Sequence, residues 1–215
     1  MKKGLFIVFE GIDGSGEDTQ VEKLYSAIKS LDKYQDILAT HEPWKHGEIK
    51  RKLREDKDAY SDAEEMAELY IGDRTDHSYV LLRPNLDAGA IVLCSRYKMS
   101  TCAFQQTQGI PLDKLLKMHE HRGILNPDLT FFLDVPGNIA ESRREKRGTP
   151  KEKFEQREFM DKVTANYWAL YEMSLKNPEL FGEVVKIDGN GLINEVAKDI
   201  YQEFLKVYNQ WSQSD

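Results

Sequence analysis

The sequence has little that would support a disulfide scaffold or a membrane protein. Its 215 residues contain two cysteines, Cys94 and Cys102, which are too few for a disulfide framework or, on their own, for a four-ligand zinc site. No apolar run approaches the roughly 18 residues of a membrane span. The apolar stretch near the start ends at Glu10, too early for a signal peptide. We therefore expect a reduced, cytoplasmic protein with no membrane partner.

Positive charge is also scarce. The chain has 30 Lys and Arg against 37 Asp and Glu, a net charge of −7. A net acidic protein without a long basic run is a poor candidate for non-specific duplex binding, so we expect no nucleic-acid partner. With 14 Gly and 7 Pro, collagen and low-complexity classes are excluded. The length fits a single domain, large enough to bury a hydrophobic core.

Short apolar runs alternate with helical patterns along the whole chain. The runs predicted as strands are residues 5–9, 37–40, 90–94, 129–135 and 184–187, and an amphipathic helix over 193–208 closes the chain. Residues 61–64 (SDAE) predict a capping box at the start of a long helix. This alternation predicts an α/β domain with a five-stranded parallel sheet flanked by helices.

The most polar stretch, residues 141–156, is broken by Gly148 and Pro150. It fits a mobile lid or, equally, a solvated helix–turn–helix.

A glycine-rich loop follows the first predicted strand. Residues 11–20 read GIDGSGEDTQ and lie between strand and helix, the context of a phosphate-binding loop. Gly11 and Gly16 match the pattern G-x-x-x-x-G-K-[ST], but Glu17 replaces the lysine and Asp18 the hydroxyl residue. A unit charge pair about 4 Å apart is worth roughly 4 kcal/mol at an effective dielectric of about 20. Glu17 can therefore weaken nucleotide binding considerably; the alternative is that Glu17 and Asp18 complement the helix dipole.

Further motifs follow in a fixed order: THEP at 40–43, YIGDR at 70–74, CSRY at 94–97 with STCAFQ at 100–105, PDL at 127–129 with DVP at 134–136, the arginines Arg143 and Arg147 with Gly148, and the segment 151–155 that follows them. With the glycine loop, they make the chain resemble the thymidylate kinases, which are P-loop nucleoside monophosphate kinases, from about residue 4 to about residue 207. His41 stands where an arginine is usual, and Ser95 where an aspartate is usual. The resemblance implies one P-loop kinase domain with a lid at about 141–156.

It also implies ATP-dependent phosphorylation of dTMP to dTDP with Mg²⁺, in a protein that commonly forms a homodimer. The residues implied to hold the acceptor are Asp13, Glu42, Pro43, Tyr70, Arg74, Arg96, Ser100, Thr101 and Gln105. Those implied to hold ATP are Gly11, Gly14, Ser15, Gly16, Glu17, Asp18 and Thr19. Catalytic roles are implied for Arg96, Arg143, Arg147 and Asp18, and Asp18 is also the candidate metal ligand.

Individual roles follow from the same resemblance. Asp13 would hold the deoxyribose 3′-hydroxyl, Tyr70 would stack on the pyrimidine, and Arg74 and Arg96 would grip the acceptor phosphate. The loop carries an acid, Asp18, where the family has a hydroxyl residue, and Ser95 supplies a hydroxyl where the family has an aspartate. Asp18 is therefore hypothesised to restore an oxygen ligand for the metal. Lid arginines are hypothesised to supply the positive charge lost at Glu17.

Each role has a purely structural alternative. Tyr70 also fits the core, the two arginines fit structural ion pairs, and Thr101 and Gln105 fit a solvated helix surface. The lid arginines also fit an ordinary charged helix. Two rival functions remain open at this point: a kinase for another or modified pyrimidine monophosphate, and a homologue with impaired catalysis that only binds a ligand or a partner.

Overall fold

The strands form because short, nearly uninterrupted apolar runs can be buried on both faces only inside a covered parallel sheet. The computed structural model describes residues 3–45, 47–148 and 152–213. Within these residues, five strands form one parallel sheet in the order β2-β3-β1-β4-β5. Their bounds are β1 Leu5–Gly11, β2 Ile37–His41, β3 Ile91–Ser95, β4 Leu129–Asp134 and β5 Glu183–Asp188. The predicted α/β class, with its five-stranded parallel sheet, is confirmed.

Helices cover both faces of the sheet. Their bounds are α1 Glu17–Leu31, α2 Gly47–Glu55, α3 Ala63–His77, α4 Arg83–Asp87, α5 Lys98–Thr107, α6 Leu112–His119, α7 Gly137–Arg147, α8 Arg157–Ser174 and α9 Ile193–Gln213, with a π-helical turn at Ser78–Leu82 between α3 and α4. Among the described residues, none of these helices is long and apolar enough to cross a membrane.

Two apolar layers hold the helices against the sheet. On one side Leu24 and Ile28 of α1 and Phe204 of α9 pack with alternate residues of β1. On the other side Tyr167 of α8 stacks on Phe132 of β4, with ring centroids 5.7 Å apart. Because both faces are covered, ligands can reach the sheet only at its edges.

The predicted capping box at residues 61–64 is wrong. The helix does begin at Ala63, but the Ser61 hydroxyl donates to the main-chain oxygen of Asp58 at 2.9 Å and to the carboxylate of Asp56, not to the helix amides. The sequence pattern predicts a helix cap here, but the hydrogen bonds of Ser61 stabilise the loop between α2 and α3 instead.

Candidate active site

The glycine-rich loop connects the central strand β1 to α1 at the carboxyl edge of the sheet. Gly14 and Gly16 have φ values of +96° and +101°, which favour glycine, and a Cβ on Gly14 would lie 2.5 Å from the Ala140 oxygen. A hollow of about 170 Å³ lies beside the loop, lined by Asp13, Gly14, Gly16, Glu17, Asp18, Thr19, Ser95 and Arg96. Gly11 and Ser15, also predicted to hold ATP, are buried and do not line the hollow.

Glu17 turns back onto the loop instead of pointing into solvent. Its side chain is 6% exposed, and its carboxylate accepts a hydrogen bond from the Gly16 amide at 3.0 Å. The Arg96 guanidinium lies 2.8 Å from Glu17 and 2.6 Å from Asp13. The cation that pairs with Glu17 is thus Arg96, a partner that the sequence analysis did not assign. Burial opposes the charge of Arg96, but the two carboxylates hold its pKa well above the ordinary value.

Two arginines of α7 also reach the glycine-rich loop. Arg143 donates to the main-chain oxygens of Ser15 at 3.4 Å and Gly189 at 3.0 Å, and Arg144 donates to the main-chain oxygen of Asp13. These contacts hold α7 against the loop, so this part of the predicted lid is not a freely solvated helix. The side chain of Arg147 lies outside the described part of the structure, and its predicted role stays a prediction.

A second cavity of about 180 Å³ adjoins the first hollow. Its lining includes all nine side chains predicted to hold the acceptor, namely Asp13, Glu42, Pro43, Tyr70, Arg74, Arg96, Ser100, Thr101 and Gln105. They come from the glycine-rich loop, the segment after β2, α3, the segment after β3, and α5. Parallel strands bring these segments together because their carboxyl ends meet at one edge of the sheet.

The comparisons with known proteins identify the family of the chain. The sequence profile described as Thymidylate kinase matches residues 9–200. The chain is 33% identical over 200 residues to a probable thymidylate kinase of Staphylothermus marinus, covering 92% of each chain. It is 34% identical over 172 residues to a thymidylate kinase of Desulfotalea psychrophila, covering 78% of this chain and 82% of that protein. It is 38% identical over 184 residues to one of Prochlorococcus marinus (strain NATL2A), covering 80% and 86%.

The chain belongs to the thymidylate kinase family. The resemblance stated from the motifs is therefore confirmed, and so is the P-loop kinase fold. Within that family fold, the substitutions at positions 17 and 18 are accommodated by an intact glycine-rich loop: Gln20 still donates its amide to the Gly16 oxygen at 3.0 Å, as the first turn of α1 requires. The substitutions thus change the charge of the loop, while α1 makes its first-turn hydrogen bond.

Arg74 is the most heavily bonded side chain of the acceptor cavity. Its Nε lies 2.7 Å from Glu42, and Nη2 donates to the Tyr97 oxygen at 2.8 Å and the Thr101 hydroxyl at 3.0 Å. Nη1 lies 2.8 Å from His119 Nε2. Of the five N–H donors of a guanidinium, these contacts leave one on Nη1 for a ligand. Arg74 thus forms a structural ion pair with Glu42, as the alternative to a substrate-binding role predicted. That Arg74 also binds the acceptor phosphate stays a prediction.

His119 was missed in the sequence analysis, although it completes the Arg74 cluster. Its Nδ1 donates to the Leu115 oxygen at 2.7 Å, so Nε2 accepts from Arg74 and the ring is neutral. Burial and the Arg74 charge hold the pKa of His119 well below its ordinary value of 6.5. A single histidine in an amphipathic pattern gives no signal of this role, because its partner lies 45 positions away.

Glu10 is another buried residue that the sequence did not single out. Its carboxylate accepts the amides of Tyr97 at 3.0 Å and Ser100 at 3.2 Å and the Ser100 hydroxyl at 2.6 Å, with Tyr167 at 3.2 Å. Burial raises its pKa in spite of these donors. Glu10 therefore fixes the start of α5, the helix that carries Ser100, Thr101 and Gln105.

The two polar residues predicted on α5 are not on a solvated surface. Thr101 is 2% exposed and Gln105 is fully buried, and both face the cavity with partly buried Tyr70. Leu53, Tyr97, Phe104, Glu152 and Phe154 also line it and were not predicted. Burial and the nearby Asp13 raise the pKa of Glu152. A sequence signal existed for Glu152 and Phe154, since residues 151–155 match the family segment that follows the lid.

Oxygen ligands for a metal are present at the loop hollow. Asp18 is exposed there beside Thr19 and Ser95, and all three side chains offer the hard oxygen atoms that Mg²⁺ binds. Across the described residues, no group of three or more His, Cys, Asp or Glu side chains forms a preassembled metal site. The oxygen atoms of Asp18, Thr19 and Ser95 thus fit a Mg²⁺ ion that keeps several waters.

Proposed function

We propose that this protein phosphorylates dTMP to dTDP, with ATP as the phosphoryl donor. The observation that carries the proposal is one cavity that gathers all nine side chains assigned to the acceptor and shares Asp13 and Arg96 with the hollow of the glycine-rich loop. Two adjoining sites with a shared arginine suit the transfer of a phosphoryl group between two nucleotides, because positioning and charge stabilisation carry that reaction. The relatives named thymidylate kinase support the same substrate.

In the acceptor cavity we assign each side chain the role that suits its functional group. Tyr70 stacks on the base, and Thr101 and Gln105 meet its polar edge. Asp13 accepts a hydrogen bond from the sugar hydroxyl. Arg96 binds the acceptor phosphate through its Nε and Nη1 donors, because its two carboxylate partners, 2.6 Å and 2.8 Å away, both meet Nη2.

On the donor side, the loop amides and the start of α1 hold the phosphates of ATP. The Gly16 amide already holds a carboxylate oxygen at 3.0 Å, so it is aimed at an anion. Magnesium, when bound with the nucleotide, neutralises phosphate charge, and Asp18, Thr19 and Ser95 are the side chains that would hold it. We infer that Glu17 has to release the amide before the phosphates occupy the loop.

Arg143 is proposed to supply positive charge during transfer. It already contacts the main-chain oxygen of Ser15 at 3.4 Å, so its guanidinium lies beside the loop that is proposed to hold the phosphates. Arg147 is proposed to share this role, as the family resemblance implies. A lid at residues 141–156, a homodimer and a cytoplasmic location complete the proposal. The free thiols of Cys94 and Cys102, both buried, suit a reducing compartment.

A coupled assay for ADP release tests the activity. ATP and Mg²⁺ are held constant while dTMP, dUMP, dCMP and GMP are compared at equal concentrations. We expect dTMP to give the highest kcat/KM. Arg96→Met should lower kcat/KM for dTMP about 100-fold or more, whereas Arg122→Met, which removes a surface arginine paired with Glu68, should leave it within about twofold. An ADP signal that does not depend on dTMP overturns the proposal.

Thermal shift separates an enzyme from an impaired homologue. The enzyme is stabilised by dTMP alone, by ATP with Mg²⁺ alone, and more by a non-reactive pair of both. A protein that responds to dTMP and ignores ATP at millimolar concentration would retain the ligand site without the transferase activity. None of the described residues that line the cavity favours a modified pyrimidine over dTMP.

A further inference from the structure

Gln105 is an unusual member of the acceptor cavity because half of its amide has no partner. The side chain is fully buried, and its Nε2 donates to Gln108 Oε1 at 3.2 Å. Its Oε1 has no hydrogen-bond partner among the described residues. A buried acceptor left without a donor costs free energy, so the atom is poised to accept a hydrogen bond from whatever fills the cavity.

The orientation of an amide is set by its surroundings, and here Gln108 sets it. Gln108 Nε2 donates to the main-chain oxygens of Ala59 at 2.9 Å and Ser61 at 3.0 Å. A main-chain oxygen only accepts, so Gln108 must present its NH₂ group to these two atoms. Its Oε1 is then turned toward Gln105. The main-chain carbonyls of Ala59 and Ser61 therefore fix the orientation of the Gln108 amide whether or not a ligand is bound.

The orientation of the Gln108 amide in turn determines the orientation of the Gln105 amide. If Gln105 turned its oxygen toward Gln108, two acceptors would face each other in a buried site. Gln105 therefore keeps its NH₂ group on Gln108 and its Oε1 for the ligand. The buried Lys153 holds Ser61, at the other end of this series of hydrogen bonds, because its Nζ donates to the main-chain oxygen of Ser61 at 3.0 Å and to the Ser61 hydroxyl at 2.9 Å.

We propose that Gln108 is a positioning residue for base selection: it holds the Gln105 amide with its oxygen toward the ligand, so that the site prefers a pyrimidine whose ring nitrogen N3 carries a hydrogen. Thymine and uracil carry that hydrogen, whereas cytosine has an acceptor at N3. Gln108 lies outside the cavity lining and acts only through Gln105. This proposal rests on the proposed function, because it concerns the acceptor site of that reaction.

Two variants separate orientation from stability. Gln108→Met removes both donor and acceptor at similar size, so the Gln105 amide is free to turn. Gln108→Glu loses the donor toward the carbonyls but keeps an acceptor toward Gln105. Gln106→Met makes the same chemical change two residues earlier, at a partly buried position in the last turn of α5, and serves as the matched control. All are compared for kcat/KM with dTMP, dUMP and dCMP and for Kd by calorimetry.

We expect Gln108→Met to lower the dTMP:dCMP ratio about tenfold, which equals about 1.4 kcal/mol. Gln108→Glu should keep a ratio near that of the unmodified protein even where its Tm falls, and Gln106→Met should leave the ratio within about twofold. An equal loss with every base in Gln108→Met, with the ratio unchanged, overturns the proposal and leaves Gln108 a merely structural residue.

The outcome is distinguishable from failure of the proposed function. If the unmodified protein phosphorylates dTMP but Gln108→Met keeps its ratio, only the role of Gln108 is refuted. If no variant transfers phosphate, the activity is refuted, and the Kd of dCMP divided by the Kd of dTMP still decides the role of Gln108: a tenfold fall in that quotient for Gln108→Met supports it, and an unchanged quotient refutes it.

Discussion

Replacing Glu17 by glutamine is expected to strengthen ATP binding. The Glu17 carboxylate accepts the Gly16 amide at 3.0 Å, so it occupies a donor that the phosphates need. Glutamine keeps an oxygen for that amide but removes the negative charge. Arg96 remains paired with Asp13 at 2.6 Å, so the variant does not release the arginine entirely. The change is thus confined mainly to the electrostatic repulsion of the donor phosphates.

The magnitude follows from the distance and the environment. Two unit charges about 4 Å apart repel by about 1 kcal/mol in water and about 4 kcal/mol at an effective dielectric of about 20. The loop hollow is partly open and Arg96 offsets part of the charge, so the lower half of that range applies. About 1.4 kcal/mol corresponds to a tenfold change in affinity. We expect the KM for ATP to fall about tenfold in Glu17→Gln and further in Glu17→Lys.

The assay varies ATP at saturating dTMP and measures ADP release. Glu22→Gln makes the same change at an exposed position of α1, away from the loop hollow, and should leave the KM for ATP within about twofold. Because the effect is electrostatic, it should shrink when the ionic strength is raised. An unchanged or higher KM for ATP in Glu17→Gln would refute the idea that this carboxylate opposes the donor.

Three further perturbations follow from the buried polar groups and the loop hollow. Lys153→Met removes a fully buried ammonium bound to Ser61 and should lower the free energy of unfolding by about 2 kcal/mol, seen as a Tm about 4–8 °C lower; an unchanged Tm would contradict it. His119 binds its proton in the unfolded chain near pH 6.5 but at much lower pH when folded, so stability present above pH 6.5 is lost as the pH falls below it. His119→Gln should therefore show a flatter dependence of Tm on pH between about 7 and 5, and parallel curves would count against this cause. Asp18→Ala should raise the Mg²⁺ concentration needed for half-maximal rate severalfold; a superimposable Mg²⁺ titration would remove Asp18 from the metal site.

The fold and the position of the site were predictable because their signals are local. The apolar runs of the strands, the glycines of the loop and the short motifs at the strand ends each lie within a few residues of sequence. Parallel pairing then brings the motifs to one edge whatever the detailed packing. The nine acceptor residues meet in one cavity for this reason.

The partners of the site residues were not predictable, because they depend on contacts between distant segments. Glu17 pairs with Arg96, and Arg74 with His119, and neither pair is close in sequence. Lys153 is the clearest case: it lies in the most polar stretch of the chain, yet its side chain is fully buried. The polar residues around Lys153 in the sequence predict an exposed side chain. Its burial depends instead on contacts with Asp56 and Ser61, which lie more than 90 positions earlier.

Glu17 and Arg96 also connect the two halves of the site. Arg96 lines both cavities and is paired with Glu17 at 2.8 Å. An acceptor phosphate bound to Arg96 competes with Glu17 for the charge of the arginine, and a weakened pair leaves the buried Glu17 carboxylate less compensated, which is unfavourable until another cation arrives. The cation that accompanies ATP meets that need, so an acid at position 17 makes donor binding depend on the acceptor. In Glu17→Gln this dependence has no charge to act through, and dTMP should then leave the affinity for ATP unchanged.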